Sequence, residues 1–155
     1  MRARLFLDSS VWLAGLGSPL GGAGWLLFLM EAGEIEVISS EQILVEVRRN
    51  LEDKKVRYAS RLETILKHRK PRTLPEFKDT ELLRWLYLVP PKDCHVLAGA
   101  FKSEADALIT LDKEHILTPT VKAAFPLPIM TPGEFLEAFH LETEREDNLR
   151  RRKGS

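Results

Sequence analysis

Four acidic residues are spaced along this chain as the ligands of a divalent metal would be: Asp8, Glu46, Asp93 and Asp112. Two of them close short, largely apolar runs, because residues 4–7 lead into Asp8 and residues 107–111 lead into Asp112. Such runs, separated by helical segments, are typical of buried parallel strands. Ligands bind beyond the carboxyl ends of parallel strands, so both aspartates are predicted to lie at one edge of a sheet.

Carboxylates brought together at such an edge repel one another unless a cation neutralises them, and a divalent ion is the natural candidate. Mg²⁺ and Mn²⁺ prefer octahedral oxygen ligands. Enzymes use pairs of these ions, roughly 4 Å apart, to hold the attacking and leaving oxygens of a phosphoryl displacement. The chemistry that the four residues would support is therefore hydrolysis of a phosphodiester bond, with Glu46 placed on one helix and Asp93 in the first turn of another.

Each carboxylate also has an ordinary structural alternative, and the residue pattern leaves both interpretations open. The alternatives are a turn cap beside Ser9 or Ser10 for Asp8, a surface position beside Arg49 and Asn50 for Glu46, a favourable helix-dipole position for Asp93, and an ion pair with Lys113 for Asp112.

The composition is that of a globular protein. The 155 residues suffice for one domain with a hydrophobic core, and 44% are hydrophobic while 30% are charged. The single cysteine, Cys94, excludes an intrachain disulfide and fits a reducing compartment. The four histidines are scattered, and no Cys/His spacing indicates zinc. The apolar stretch at residues 25–30 is too short to span a bilayer, so we expect a cytoplasmic protein without a membrane span.

The elements that must position the carboxylates follow from hydrophobic periodicity and capping signals. Strands are predicted at residues 4–8, 34–38, 107–112 and 127–130. Helices are predicted at residues 24–32, from a Ser39 cap to about residue 68 in two pieces, at 80–88 (with a brief strand at 86–89 as the alternative), at 92–102, at 114–125 and from a Thr131 cap onward.

The alternation of strands and helices predicts an α/β fold, a three-layer α/β/α sandwich with a mainly parallel central sheet. One domain is expected over residues 1–141, followed by a charged, flexible tail at residues 142–155. The Gly-rich stretch from Gly15 to Gly24 matches no phosphate-binding loop and is interpreted as a mobile connection.

Four segments, in this order, resemble PIN-domain ribonucleases, the family that includes VapC-type toxins of toxin–antitoxin pairs: residues 5–11, 38–47, 92–100 and 105–112. The resemblance implies that Asp8, Glu46, Asp93 and Asp112 are the family's metal-binding quartet, with Mg²⁺ or Mn²⁺ as the cofactor. It also implies that Ser10 and Thr110 are polar supports near the ions.

The chain departs from the family pattern at two places. Leu111 stands where the family often has glycine, and Glu114 stands where a further aspartate often follows. Glu114 is either an auxiliary ligand or a carboxylate at a helix start, and we favour the second.

Three neighbours of the quartet are predicted to have structural roles. Asp106 lies at the opposite end of the strand from Asp112 and is expected to stabilise a turn. His95 is expected at the core edge or surface rather than in catalysis. Cys94 is expected to be a small packed residue, since no His/Asp relay for a nucleophile is evident.

The leading hypothesis is a metal-dependent endoribonuclease, the possible toxin of a toxin–antitoxin pair. Residues 48–72 carry ten Lys/Arg against three Asp/Glu, and this balance of +7 would favour a phosphate backbone, although solvated helix faces explain it equally. The candidate RNA contacts are Arg48, Arg49, Lys54, Lys55 and Arg57.

Two alternatives remain. One is a PIN-like binding module without turnover, held by an antitoxin or another partner. The other is a haloacid-dehalogenase-type phosphatase, which would need a second aspartate at the position of Ser10. The resemblance also implies a homodimer.

Overall fold

In a computed structural model that describes residues 2–52 and 56–154, five strands form one sheet in which every pairing is parallel. The strand order is β3-β2-β1-β4-β5. The strands are β1 (Ala3–Leu7), β2 (Ile35–Ser40), β3 (Arg72–Leu74), β4 (Ala107–Ile109) and β5 (Ile129–Met130). The strands that follow β1 in the chain are added first on one side of it, as β2 and β3, and then on the other side, as β4 and β5. An open α/β sheet places its ligand crevice at the point where the strand order reverses in this way.

Helices cover the sheet and complete the predicted three-layer α/β/α sandwich. Helix α6 packs against β1 and β4, whereas α2 and α3 pack against β2 and α8 packs against β5. The helices are α1 (Ser9–Gly17), α2 (Gly22–Glu31), α3 (Glu41–Glu52), α4 (Val56–His68), α5 (Asp79–Leu83), α6 (Cys94–Lys102), α7 (Pro119–Ala124) and α8 (Pro132–Lys153).

The central strands are the most deeply buried part of the core. Leu5, Phe6 and Leu7 of β1 are fully buried, as are Leu108 and Ile109 of β4. Strands buried on both faces explain why these segments are continuous apolar runs in the sequence rather than alternating patterns.

The Gly-rich stretch is not the mobile connection that the sequence predicts. Helix α1 begins directly after Asp8, whose Oδ1 accepts a hydrogen bond from Ser9 N at 2.7 Å, and it buries Val11 and Trp12. A Cβ on Gly15 would lie 2.7 Å from Leu27 Cδ1, so glycine there lets α1 and α2 pack closely. Gly15 thus serves helix packing rather than loop mobility.

Three further predictions about the elements are wrong. The cap of α3 is Ser40, whose Oγ accepts from Ile43 N, so β2 continues through Ser39. The sequence also misses β3, a three-residue strand at the sheet edge, where flanking prolines are tolerated. The helix predicted at residues 114–125 begins only at Pro119, because residues 113–116 form turns in which Asp112 Oδ1 accepts the N–H groups of Glu114 and His115.

Helix α8 begins as predicted, with Thr131 and Glu134 forming a capping box and Pro132 in the first position. It continues to Lys153, whereas the sequence predicts fraying from residue 142. The division of the chain at residue 141 stays a prediction. Among the described residues no single helix is long and apolar enough to cross a membrane, although α1 and α2 pass that test together as a pair bent by 93°.

Candidate metal centre

Asp8 lies at the carboxyl end of β1, at the point where α1 begins, and only 6% of it is exposed. Its two oxygens are held by different donors. Oδ1 accepts from Ser9 N, while Oδ2 accepts from Ser10 Oγ at 3.3 Å and from Thr110 Oγ1 at 2.8 Å. Burial raises the pKa of Asp8, and the nearby Glu46 charge raises it further, while the hydrogen bonds oppose the shift. The predicted turn cap is therefore real, but it serves a buried, charged group.

Ser10 and Thr110 tie the two neighbouring strand ends together. Besides donating to Asp8, the Ser10 hydroxyl accepts from Leu111 N at 3.1 Å. The Thr110 hydroxyl likewise accepts from Asp112 N at 3.1 Å. The polar groups after β1 and β4 therefore form one hydrogen-bonded unit, and Ser10 and Thr110 fix the positions of Asp8 and Asp112 relative to each other.

Asp93 reaches the same edge from a short 3₁₀ turn, Pro91–Asp93, that leads into α6. Asp93 precedes the first residue of α6, as the helix-dipole alternative expects, but its side chain makes no capping hydrogen bond to that helix. Its Oδ2 is buried and has no hydrogen-bond partner. Burial raises the pKa of Asp93, and the charges of Asp112 and Asp8 add to that shift although Lys92 and His115 oppose it. A buried carboxylate oxygen without a hydrogen-bond partner, beside two other carboxylates, has the surroundings in which a cation is a favourable partner.

Glu46 lies in the middle of α3, and its side chain is about one-third exposed, at 30%. Its Oε1 lies 2.6 Å from Nε2 of His95, which is buried on α6. The sequence places His95 at the core edge or surface and away from the site, but the structure puts it in direct contact with a quartet residue. Helix spacing alone could not show this contact, because it joins two helices that are distant in the sequence.

His115 is the residue that sequence reasoning missed. Its Nδ1 lies 3.4 Å from Asp93 Oδ2 and 3.7 Å from Asp112 Oδ2. One donor atom from each of these three side chains lies within 4.8 Å of the others. The only signal in the sequence was the spacing of three residues from Asp112, which a turn can fold back onto the aspartate.

The other predicted neighbours lie outside this cluster. The Glu114 side chain is 85% exposed, and the residue lies in a turn rather than at a helix start, since α7 begins at Pro119. Asp106 accepts from Arg4 N at 2.8 Å at the amino end of β1, so its hydrogen bond is to a neighbouring strand rather than within a turn. Cys94 is buried, and burial raises the pKa of its thiol, as expected for a packed residue.

The candidate RNA contacts lie on α3 and α4. Arg48 is paired with Glu63, with Nε–Oε1 at 2.9 Å, and Arg57 lies over the Tyr58 ring. Arg49 is exposed. Lys54 and Lys55 lie outside the described residues.

The site therefore lies on an all-parallel α/β sheet, with acidic residues following the carboxyl ends of β1 and β4. A family model described as "PIN domain" matches residues 4–114 of this chain. The chain therefore belongs to the PIN-domain family, whose members are generally nucleases. No match was found among curated proteins.

Solved structures with the same fold are similar to this chain at low sequence identity. VapBC2 from Rickettsia felis, bound to a DNA fragment from their promoter, has a TM-score of 0.59 at 13% identity over 83% of this chain and 98% of that one. PAE2754 from Pyrobaculum aerophilum has a TM-score of 0.60 at 15% identity over 90% of each chain. VapC20 of Mycobacterium tuberculosis, a Sarcin-Ricin loop cleaving toxin, has a TM-score of 0.54 at 20% identity over 76% and 97%.

Proposed function

We propose that this protein is a Mg²⁺- or Mn²⁺-dependent endoribonuclease that hydrolyses RNA phosphodiester bonds at Asp8, Glu46, Asp93 and Asp112. The observation that carries the proposal is the buried Oδ2 of Asp93, which has no hydrogen-bond partner while the charges of Asp112 and Asp8 raise its pKa. A carboxylate in such surroundings is stabilised by a divalent cation, and oxygen ligands are those that Mg²⁺ and Mn²⁺ prefer.

The residues divide the work between holding metal and fixing geometry. Asp8, Glu46, Asp93 and Asp112 would hold the ions, which when bound supply Lewis-acid activation of the phosphodiester and of the attacking water. Ser10 and Thr110 orient Asp8 through hydrogen bonds at 3.3 and 2.8 Å, and His95 orients Glu46. Outer contacts of this kind fix the direction of a ligand's lone pairs.

The RNA backbone would be bound by the basic residues of α3, α4 and the segment between them, Arg48, Arg49, Lys54, Lys55 and Arg57. Arg49 is exposed, whereas Arg48 must exchange its pairing with Glu63 for a phosphate. Such contacts give affinity without reading sequence. Reversing the charge of Arg49 and Arg57 together should weaken RNA binding and flatten its salt dependence; an unchanged salt slope would remove these residues from the interface.

A toxin of a toxin–antitoxin pair is the biological setting that the fold favours. One structural neighbour is described as a toxin that cleaves the Sarcin-Ricin loop, and another is a VapBC pair. In that setting the chain would act in the cytoplasm, be inhibited by an antitoxin and form a homodimer. The alternative, a binding module without turnover, predicts that the partner-free protein is inactive with every metal.

The test of the nuclease is cleavage of a mixed single-stranded RNA by purified, partner-free protein with Mn²⁺ or Mg²⁺. We expect cleavage that a chelator abolishes and that Asp93→Asn eliminates while the variant remains folded by circular dichroism. Asp147→Asn is the matched control, because Asp147 is exposed on α8.

Two outcomes would contradict the proposal. Folded wild-type protein that cleaves no RNA with either metal would favour the binding module. Cleavage that Asp93→Asn leaves intact would indicate a contaminating nuclease or a different site.

A further inference from the structure

We infer that His115 is a metal ligand, which together with Asp93 and Asp112 forms a mixed nitrogen and oxygen site that favours Mn²⁺ and other transition-metal ions over Mg²⁺. The inference rests on the proposed function, since it concerns the same metal centre. It adds a residue outside the carboxylate quartet and a preference among metals.

The geometry is that of three ligands around one ion. His115 Nδ1 lies 3.4 Å from Asp93 Oδ2 and 3.7 Å from Asp112 Oδ2. Both distances exceed the 2.7–3.2 Å, approximately, of an N–H···O hydrogen bond. Ligand bonds of about 2.0–2.2 Å, as for imidazole and carboxylate on zinc, place adjacent ligand atoms a little over 3 Å apart around a single ion. The three side chains are therefore spaced to share a cation rather than a proton.

A second observation points the same way. Asp93 Oδ2, the atom that faces His115, is buried and makes no hydrogen bond. At 3.4 Å the His115 ring lies within ion-pair distance of this oxygen but gives it no hydrogen bond. Its lack of a partner leaves a lone pair directed to the space that the three donors surround.

The turn after Asp112 orients the imidazole ring. On the far side of the ring, Glu114 Oε1 lies 3.9 Å from His115 Nε2, beyond hydrogen-bond distance, and the Glu114 side chain is 85% exposed. Asp112 Oδ1 accepts from the backbone N–H groups of Glu114 and His115, at 3.1 and 3.0 Å. This turn holds His115 beside the aspartate and leaves Oδ2 of Asp112 facing the ring.

The ligand set determines the preference. Mg²⁺ binds oxygen almost exclusively, whereas an imidazole nitrogen is a good ligand for transition-metal ions and raises their affinity more than it raises that of Mg²⁺. A quartet of carboxylates alone would discriminate less between Mg²⁺ and Mn²⁺.

The direct test is pulsed electron paramagnetic resonance of the wild-type protein loaded with one equivalent of Mn²⁺. We expect modulation from a directly bound imidazole ¹⁴N, which His115→Gln abolishes and His140→Gln retains. His140 is the matched control, because it is exposed on α8 and paired only with Glu144 among the ionic contacts of the described residues.

Calorimetric titration supplies the second readout. His115→Gln should weaken Mn²⁺ binding at least about tenfold and Mg²⁺ binding by less than about threefold. Bound Mn²⁺ without a ¹⁴N signal, or an equal loss for both metals, would overturn the inference and leave the nuclease proposal intact. A ¹⁴N signal from a protein that cleaves no RNA would support the ligand and count against the nuclease, whereas absence of any metal binding would overturn both.

Discussion

The imidazole Nε2 of His95 lies 2.6 Å from Oε1 of Glu46, and this contact joins α6 to α3 at the carboxylate cluster. His95 is buried, whereas Glu46 reaches toward the surface with about a third of its side chain exposed. The Nδ1 atom of His95 is buried without a hydrogen-bond partner, so the ring is committed to Glu46 alone among its described contacts. His95 therefore positions a carboxylate that would otherwise be free to rotate.

The role of His95 predicts a graded response to substitution. His95→Phe fills the space but removes the donor, and metal affinity should fall about 10–100-fold, the usual cost of losing an outer-shell partner. His95→Gln retains an N–H donor and should recover part of that affinity. The measurement is the Mn²⁺ concentration for half-maximal RNA cleavage, compared with kcat at saturating metal. Equal losses in both variants would mean that His95 acts through packing and not through Glu46.

The unpaired Oδ2 of Asp93 predicts that a substitution which removes activity increases the free energy of unfolding. In excess chelator at pH 8, Asp93→Asn removes a buried charge that Asp112 and Asp8 repel, and it costs Oδ2 no hydrogen bond. We expect a higher free energy of unfolding than that of the wild type, and therefore a higher thermal midpoint. Thermal unfolding checks this, with Asp106→Ala as the contrast, since that substitution removes the acceptor of Arg4 N and should lower the midpoint.

The capping box of α8 predicts a pH dependence outside the metal site. The Thr131 backbone N–H donates to Oε1 of Glu134 at 3.2 Å, and this bond, with a further contribution from the Thr131 side chain, holds the pKa of Glu134 below its usual 4.5. A lowered pKa in the folded state contributes stability that is present above pH 4.5 and is lost as pH falls through the folded-state value. Thr131→Ala should cost about 0.5–2 kcal/mol at pH 7. The free energy of unfolding of Glu134→Gln, measured with urea from pH 7 to pH 3, should approach that of the wild type at low pH. A difference that stays constant with pH would contradict the linkage.

The fold was predictable where apolar runs and caps are local. Periodicity and turn chemistry predict the parallel central strands, the division of one long helical region into α3 and α4, and the start of α8 at Thr131. The misses have tertiary causes. Helix α1 is hidden by glycines that serve close packing against α2, and β3 is a short strand that only an edge of an existing sheet can recruit.

The candidate site divides in the same way. The sequence predicts that Asp8 and Asp112 lie close together, because the carboxyl ends of parallel strands share one edge of the sheet. The sequence does not predict the contacts of His95 with Glu46 and of His115 with Asp93. These contacts depend on how α3, α6 and the turn after Asp112 pack together. Hydrophobic periodicity describes one element at a time and gives no information on packing between elements.

Gly99 sets the distance between the helix that follows Asp93 and the strand that ends at Asp8. A Cβ at this position would lie 2.3 Å from Phe6 Cζ, inside a fully buried ring of β1. Gly99→Ala should therefore force α6 away from β1 and destabilise the fold by about 1–3 kcal/mol. Gly17→Ala is the matched control, because a Cβ there meets nothing within 4 Å, and it should stabilise α1 by about 0.4–1 kcal/mol. Urea unfolding measures both, and equal stability of the Gly99 variant and wild type would show that α6 can shift without cost, so its packing on Phe6 would not be what places Asp93 beside Asp8.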